Sequence, residues 1–395
     1  MKSAYAVTYS SHDSRAAARE LASGVRRGTT ILKNSCAILF AEVVFNLDEL
    51  LPALEEELGI PVMGCTSAAI TSSRGYHRMS ASLMLLTADD CNFGMSISRP
   101  LTADDPYGAV RDAYNEAQGQ LKGQQPKVIF MFTGPGKGML DDDIVQTLNQ
   151  LGNRCPVIGG ICSDYNTFDK GRVFLGTEKS NDSMLLLLIS GNIKPKFAVS
   201  KLGPSAFSKS KVSKSEDSEV IKVDNLTAFE FLRRNGIEPE NTFSFFFHPI
   251  SLELNHLPDF DGETVVRALF GVNPDNQSAI FTNFVPEGTP ISVRTFNRKD
   301  IEQTTRQSLE NIRSEYRLEK DDKYTYSTVI GVSCIARHIV MAYDYEREGE
   351  LVKQILPPDL NFMGCYSYGE FCPTSVQDGR ANNAFHNISF TVCMF

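Results

Sequence analysis

Two stretches of the chain carry the same alternation of apolar runs and amphipathic segments. The first reads Ala37-Ile-Leu-Phe40, an acidic amphipathic stretch from Asp48 to Leu58, Pro61-Val-Met-Gly-Cys-Thr-Ser67 and Ser82-Leu-Met-Leu-Leu-Thr87. The second reads Val128-Ile-Phe-Met-Phe132, Asp141 to Leu151, Pro156-Val-Ile-Gly-Gly-Ile-Cys-Ser163 and Ser183 to Ile189. Short continuous apolar runs predict strands covered on both faces, and the amphipathic stretches between them predict helices. A further helical pattern precedes each unit, Arg15 to Val25 and Pro106 to Leu121, the latter with proline in its first turn. Paired strands around Met79 to Ser98 and Arg172 to Ser200 are expected as antiparallel additions at the sheet edge.

Beyond residue 202 the pattern changes. Ser208 to Ser218 is rich in Ser and Lys, with little to bury, and predicts a mobile loop or exposed hairpin at the passage to a second domain. Strands are then predicted at Val220–Val223, Phe243–His248, Val265–Phe270, Ile280–Phe284 and Ile291–Phe296, with helices at Leu226–Arg234 and Asp300–Tyr316. The tail returns to the first pattern: a strand at Val329–Cys334, a helix at Asp344–Leu356, Asn361-Phe-Met-Gly-Cys-Tyr-Ser367, and a last strand in Ile388–Phe395. The expectation is an α/β protein of two domains, 1–202 and 203–395, built from repeated strand-helix-strand units with mixed sheets and antiparallel edge strands.

Length and charge narrow the partners. A chain of 395 residues buries its cores without disulfide or metal staples. With 39 basic against 48 acidic residues the net charge is −9, which disfavours nucleic acid and anionic lipid. The longest central apolar run, Met184–Ile189, is too short to span a membrane and the N-terminus has no signal core, so a cytoplasmic location is expected. Nine cysteines without a C-x-x-C pair read as reduced, mostly buried thiols.

Candidate chemistry is sparse. Thr133-Gly-Pro-Gly-Lys-Gly138 lies between a strand and a helix, as a phosphate loop does. It lacks the Walker spacing, however, and Asp141, Asp142 and Asp143 would repel a phosphate, so a structural turn is expected. Cys65, Cys162 and Cys365 fall at matching points of the repeat, just past a strand. No nucleophile elbow, metalloprotease helix or Cys-His signature points to an enzyme. Loops at strand ends converge where ligand crevices form, which groups Cys65, Ser67, Ser163, Arg337, Tyr368 and Glu370 as a candidate ligand site, with Arg337 as a carboxylate anchor.

The tandem units, with Ser333-Cys-Ile-Ala-Arg337, Gly364-Cys-Tyr-Ser-Tyr-Gly-Glu370 and Phe385-His-Asn387, resemble the FIST family of sensory proteins over residues 28–395. Ala336 stands where that family usually has Gly. The resemblance implies ligand sensing coupled to signal transduction. One branch of the family implies non-covalent haem b, nitric oxide sensing, and a histidine kinase or cyclic-di-GMP enzyme regulated in trans. For haem, His248 is the first choice of axial ligand, because aromatic neighbours and a strand end would keep its imidazole neutral and rigid. The alternatives are His256, His338 and His386; His12 and His77 sit in polar surroundings. Competing expectations are a haem-free receptor for a small amino-acid-like ligand and, further off, a thiol-dependent transferase using Cys65 or Cys365.

Overall fold

The computed structural model describes residues 1–102, 104–138, 141–200, 210–254, 260, 263–320 and 324–395. The expected domain boundary after residue 202 and the candidate ligand His256 lie outside the described residues.

The chain is an α/β protein, and its main body repeats one unit three times. The first unit is β1 (Lys2–Thr8), α1 (Ser14–Gly28), β2 (Ser35–Ala41), α2 (Leu47–Leu58), β3 (Val62–Thr66), a small hairpin of β4 (Ile70–Ser72) and β5 (Gly75–His77), and β6 (Ala81–Thr87). The second is β7 (Cys91–Ile97), α3 (Pro106–Gly119), β8 (Val128–Thr133), α4 (Asp141–Leu151), β9 (Val157–Cys162), the hairpin β10 (Val173–Leu175) and β11 (Glu178–Ser180), and β12 (Met184–Gly191). The third opens with β13 (Lys196–Val199). It is interrupted by an inserted module and resumes later in the chain.

That module comprises β14 (Ser210–Glu216), β15 (Glu219–Val223), β16 (Leu226–Thr227), α5 (Ala228–Arg234), β17 (Ile250–Glu253), β18 (Thr264–Arg267), β19 (Leu269–Asn273), β20 (Ser278–Phe281) and β21 (Pro290–Val293). The third unit then continues with α6 (Arg298–Lys320), β22 (Thr328–Cys334), α7 (Ile335–Met341), α8 (Arg347–Ile355), β23 (Asn361–Gln377), β24 (Arg380–His386) and β25 (Phe390–Met394).

Each unit pairs its strands in the same order: β1-β6-β2-β3, β7-β12-β8-β9 and β13-β25-β22-β23. In each order the first two ladders are antiparallel and the last is parallel. The hairpins clasp the units in a ring. β10 of the second unit adds to β3, the distal half of β23 in the third adds to β9, and β4 of the first adds to the proximal half of β23. β13, the strand before residue 202, therefore shares one sheet with the last strands of the chain, whereas β14 after it belongs to the inserted module.

The shared glycine of the repeated motif has a packing reason. By register Gly64 faces Leu39 and Gly159 faces Met131, and a Cβ added there would lie 1.8 Å from the Leu39 carbonyl oxygen or 1.6 Å from that of Met131. Register also corrects the cysteine reading. Cys65 and Cys365 are equivalent, but Gly160 holds their position in the second unit. Cys162 lies two residues further on and still joins them in one core cluster.

The strands around Met79–Ser98 do not pair with each other. β6 lies between β1 and β2, whereas β7 crosses to β12 in the other sheet, because β7 opens the second unit rather than closing the first. The Ser/Lys-rich stretch is an exposed hairpin, β14–β15. The inserted sheet runs β18-β17-β21-β14-β15-β20-β19. Its first and last strands are one segment bent at Ala268, so the sheet closes on itself around Val212, Val220, Phe231, Leu252 and Phe281.

The aromatic segment read as a strand, Phe243–His248, is a 3-10 helix over Thr242–Phe247. Its rings are distributed between the barrel core, which takes Phe245, and a cluster around Phe296 and Val340, which takes Phe246 and Phe247; a flat ladder would not reach both. The barrel docks on the body through Arg267, whose Nη2 donates to both carboxylate oxygens of Asp142 in α4 at 2.9 Å and whose Nη1 donates to the Phe385 carbonyl at 2.6 Å.

Candidate functional site

Helix α7 follows β22 directly, and its seven residues were not anticipated apart from that strand. Its two faces meet opposite environments. On one side Arg337, 1% exposed, is enclosed by polar groups. Its Nε donates to Glu348 Oε1 at 2.9 Å, Nη2 to Thr305 Oγ1 at 2.7 Å and the Ile301 carbonyl at 3.2 Å, and Nη1 to Ser200 Oγ and the Ile388 carbonyl at 3.3 Å. Glu348 also accepts from Ser333 Oγ at 2.9 Å. The guanidinium anticipated as a carboxylate anchor is thus committed to an internal ion pair.

The other anticipated polar residues are also interior. Ser67 Oγ accepts from the Tyr366 amide at 2.9 Å, and Ser163 Oγ donates to the Tyr366 carbonyl at 2.6 Å, so the two stitch the first and second units to the third. Cys65 is buried against Cys365, and burial pushes its thiol well above the ordinary range, which makes it a poor nucleophile. Glu370 accepts from Ser367 Oγ at 2.6 Å and from Ser389 Oγ at 2.8 Å. Burial pushes its carboxyl up to about 7 against the opposing effect of those hydrogen bonds.

On the opposite side of α7 lies a cavity of about 490 Å³. Ile335, Ala336 and Ile339 of α7, Cys334, Phe245 and Phe246 of the 3-10 segment, and Leu269 and Phe270 of the barrel form apolar walls; Asn166, Thr242, Thr282 and Asn387 supply polar points. Tyr368 is the one residue of the anticipated crevice that reaches it. A second depression of about 200 Å³ adjoins it, lined by Pro135, Asp141, Ile161 and Phe385 and sharing Phe168, Phe270, Thr282 and Tyr368.

The loop carrying Phe168 is built around Asp164. That carboxylate accepts from the Thr167 amide at 2.8 Å, the Lys170 amide at 2.9 Å, the Phe168 amide at 3.2 Å, and the Tyr368 hydroxyl. Burial raises its pKa, but the bonds from Tyr368, Lys170 and Thr167 outweigh burial and hold it at about 2. The Phe168 ring stacks on Tyr368 at 4.1 Å and 21° and meets Phe270 edge-on at 5.8 Å. Phe168, Phe270 and Asn166 escaped the sequence reading. Phe168 alone carries a signal, an aromatic side chain within a polar loop; Phe270 sits in a strand and Asn166 is an ordinary loop residue.

The described histidines are placed apart from the cavity lining. His248 ends the 3-10 segment, half-buried, with Nδ1 on the Ser244 carbonyl at 3.0 Å. His338 is on α7 with Nε2 2.7 Å from the Tyr76 hydroxyl, and burial lowers its pKa to about 4. His386 is buried at the end of β24, opposite Glu370 in register. Among the described residues no group of three or more His, Cys, Asp or Glu is arranged to hold a metal ion. Haem needs an axial ligand and donors for its propionates. The described lining contains no histidine, lysine or arginine, its Cys334 thiol is kept protonated by burial and its Tyr368 hydroxyl is bonded to Asp164, so it does not fit haem b. The Gly-rich turn is structural: its Gly134 and Gly136 amides bond the carbonyls of Ser183 and Asn181 at 2.9 and 2.7 Å.

Family models match this architecture: the FIST N domain over residues 35–225 and the FIST C domain over residues 228–373. The chain belongs to the FIST family. FIST domains are sensory domains of signal transduction rather than catalytic ones. No curated protein matched the chain. Among solved structures, Thermotoga maritima PurL complexed with ATP is 10% identical, with 99% of this chain and 71% of that chain covered at a TM-score of 0.22. PurLQS from the same organism gives 10%, 99%, 72% and 0.22. At these scores the likeness carries no argument. Among the described residues no helix of this FIST protein is long and apolar enough to cross a membrane.

Proposed function

We propose that this FIST protein senses a small, mainly apolar organic ligand held in the cleft between the three-unit body and the inserted barrel. The observation that carries the reading is the cavity itself: about 490 Å³, aromatic and aliphatic walls, four polar points, and walls drawn from both the body and the barrel. A ligand there touches α7 directly, and α7 is tied through Arg337 to Glu348 of α8 and to Ile301 and Thr305 of α6. Occupancy therefore has a short physical route to the outer helices. The output follows the family resemblance: a separate histidine kinase or cyclic-di-GMP enzyme in the cytoplasm.

A fragment set screened by ligand-observed NMR and thermal shift tests the reading. Binders are expected to raise the melting temperature, and Ile339→Trp, which fills the cavity from its half-buried edge, is expected to abolish the response. Binders unaffected by Ile339→Trp would move the ligand site elsewhere. Haemin in the same assay separates haem from other ligands, since binding blocked by His248→Ala but not by Ile339→Trp would place a porphyrin outside this cleft.

A further inference from the structure

We propose that the ligand is a planar aromatic ring, uncharged or bearing an amine, which displaces Phe168 from the face of Tyr368 and lies across the two depressions that Phe168 divides. The inference rests on the cleft being the ligand site. Its first support is the partition: Phe168, Phe270, Thr282 and Tyr368 line both depressions, so moving the Phe168 ring joins them into one slot.

The second support is the stack. Tyr368 offers a flat face already matched by a parallel ring at 4.1 Å, so an aromatic ligand would restore the contact it removes. Phe168 is poorly secured for a large apolar residue. It is 43% exposed, and its backbone sits at φ 60°, a left-handed conformation unfavourable for a bulky side chain. The Asp164 carboxylate holds the amides of residues 167, 168 and 170, which gives the loop a fixed base from which the ring can swing.

Charge supplies the remaining constraint. Among the described side chains lining either depression Asp141 is the one carboxylate, and there is no lysine, arginine or histidine. An anionic ligand would enter without a counter-charge and near a like charge, whereas an amine would meet a partner.

The test exploits the absence of tryptophan from this chain, which leaves the fluorescence of an indole probe unobscured. Tryptamine and indole-3-propionate form a matched pair of opposite charge. With the full chain, tryptamine is expected to bind saturably and the propionate at least about tenfold more weakly. Phe168→Ala, which removes the competitor for the Tyr368 face, should tighten tryptamine binding, and Tyr368→Leu should weaken it about tenfold. Three outcomes overturn the proposal: equal affinity for the two probes, weaker binding by Phe168→Ala, or equal binding of the non-planar 2-cyclohexylethylamine measured by calorimetry. If cyclohexylethylamine binds as well and Ile339→Trp blocks it, the cleft stands as a ligand site and only the aromatic displacement fails. If no probe binds and the fragment screen is also silent, both fall.

Discussion

The two sides of α7 use their conspicuous residues in opposite ways. Behind the helix, Arg337, Glu348, Ser333 and Glu370 are charged or polar and buried, and each side chain has its partners within the chain. In front of it, Phe168 and Phe270 are apolar and exposed, meeting edge-on at the rim of an open cavity. Polar residues are conspicuous in a sequence because burying them is costly without partners, and that cost is also why they are matched internally. A ligand needs surface that the fold has not already matched, and that surface lies with the aromatics.

The largest test of the contrast is Arg337→Ala. If the residue is an interior strut, its loss leaves Glu348 as an uncompensated buried charge, and the cost should reach about 3–5 kcal/mol. The double variant Arg337→Met/Glu348→Leu should recover most of that stability in chemical denaturation. A stable Arg337→Ala protein with altered ligand response would instead restore the anchor reading.

Glu370 gives the next largest effect, and one with a sign. Its ordinary value is 4.5 and burial raises it to about 7, so the folded protein keeps a proton that the unfolded chain releases between those values. Its contribution is full below pH 4.5, falls as pH rises through the window, and is flat above 7, a change on the order of 3 kcal/mol. His77 and His338, both lowered by burial to about 4, act the other way: their contribution is full above 6.5 and lost as pH falls toward 4. The difference between wild type and Glu370→Gln isolates the carboxyl. The variant should compare least favourably with wild type near pH 5 and most favourably near pH 8. A pH-independent difference would remove the buried-acid account.

These contrasts also show what the chain made legible. The strand-helix-strand repeats could be read because continuous apolar runs such as Met184–Ile189 have few other uses. Strand pairing was harder: β6 and β7 are consecutive and separated by a short polar turn, so local pattern favours a hairpin, and only the threefold repetition sends them to different sheets. The 3-10 segment at Thr242–Phe247 was misread because a run of aromatics carries β propensity without revealing that its rings serve two separate clusters. Of the anticipated site residues that are described, Tyr368 alone borders the cavity, since a motif shows which residues meet at strand ends but not which side of the next helix remains open.

A smaller effect probes the base of the rim loop. Tyr368→Phe removes the hydroxyl that reaches Asp164 while keeping the ring under Phe168. The expected loss is about 1 kcal/mol. Hydrogen exchange should show faster opening of the amides of residues 167, 168 and 170, and unchanged protection of the α7 amides. Equal loosening of both would mean that the two sides of the helix are one cooperative unit.

The smallest stability effect is expected at the ring that the ligand displaces. Phe168→Ala deletes a ring that is 43% exposed and whose backbone already lies in the left-handed region, so the lost contacts with Tyr368 and Phe270 should cost little, about 0.5 kcal/mol. A buried core phenylalanine would cost about 3–5 kcal/mol on the same substitution, which Phe130→Ala in β8 should demonstrate as the internal control. Paired denaturation curves of the two variants therefore measure how far the rim is uncoupled from the core. If Phe168→Ala approaches the cost of Phe130→Ala, the ring is part of the packed interior, it is not free to leave Tyr368, and the partition between the two depressions is permanent.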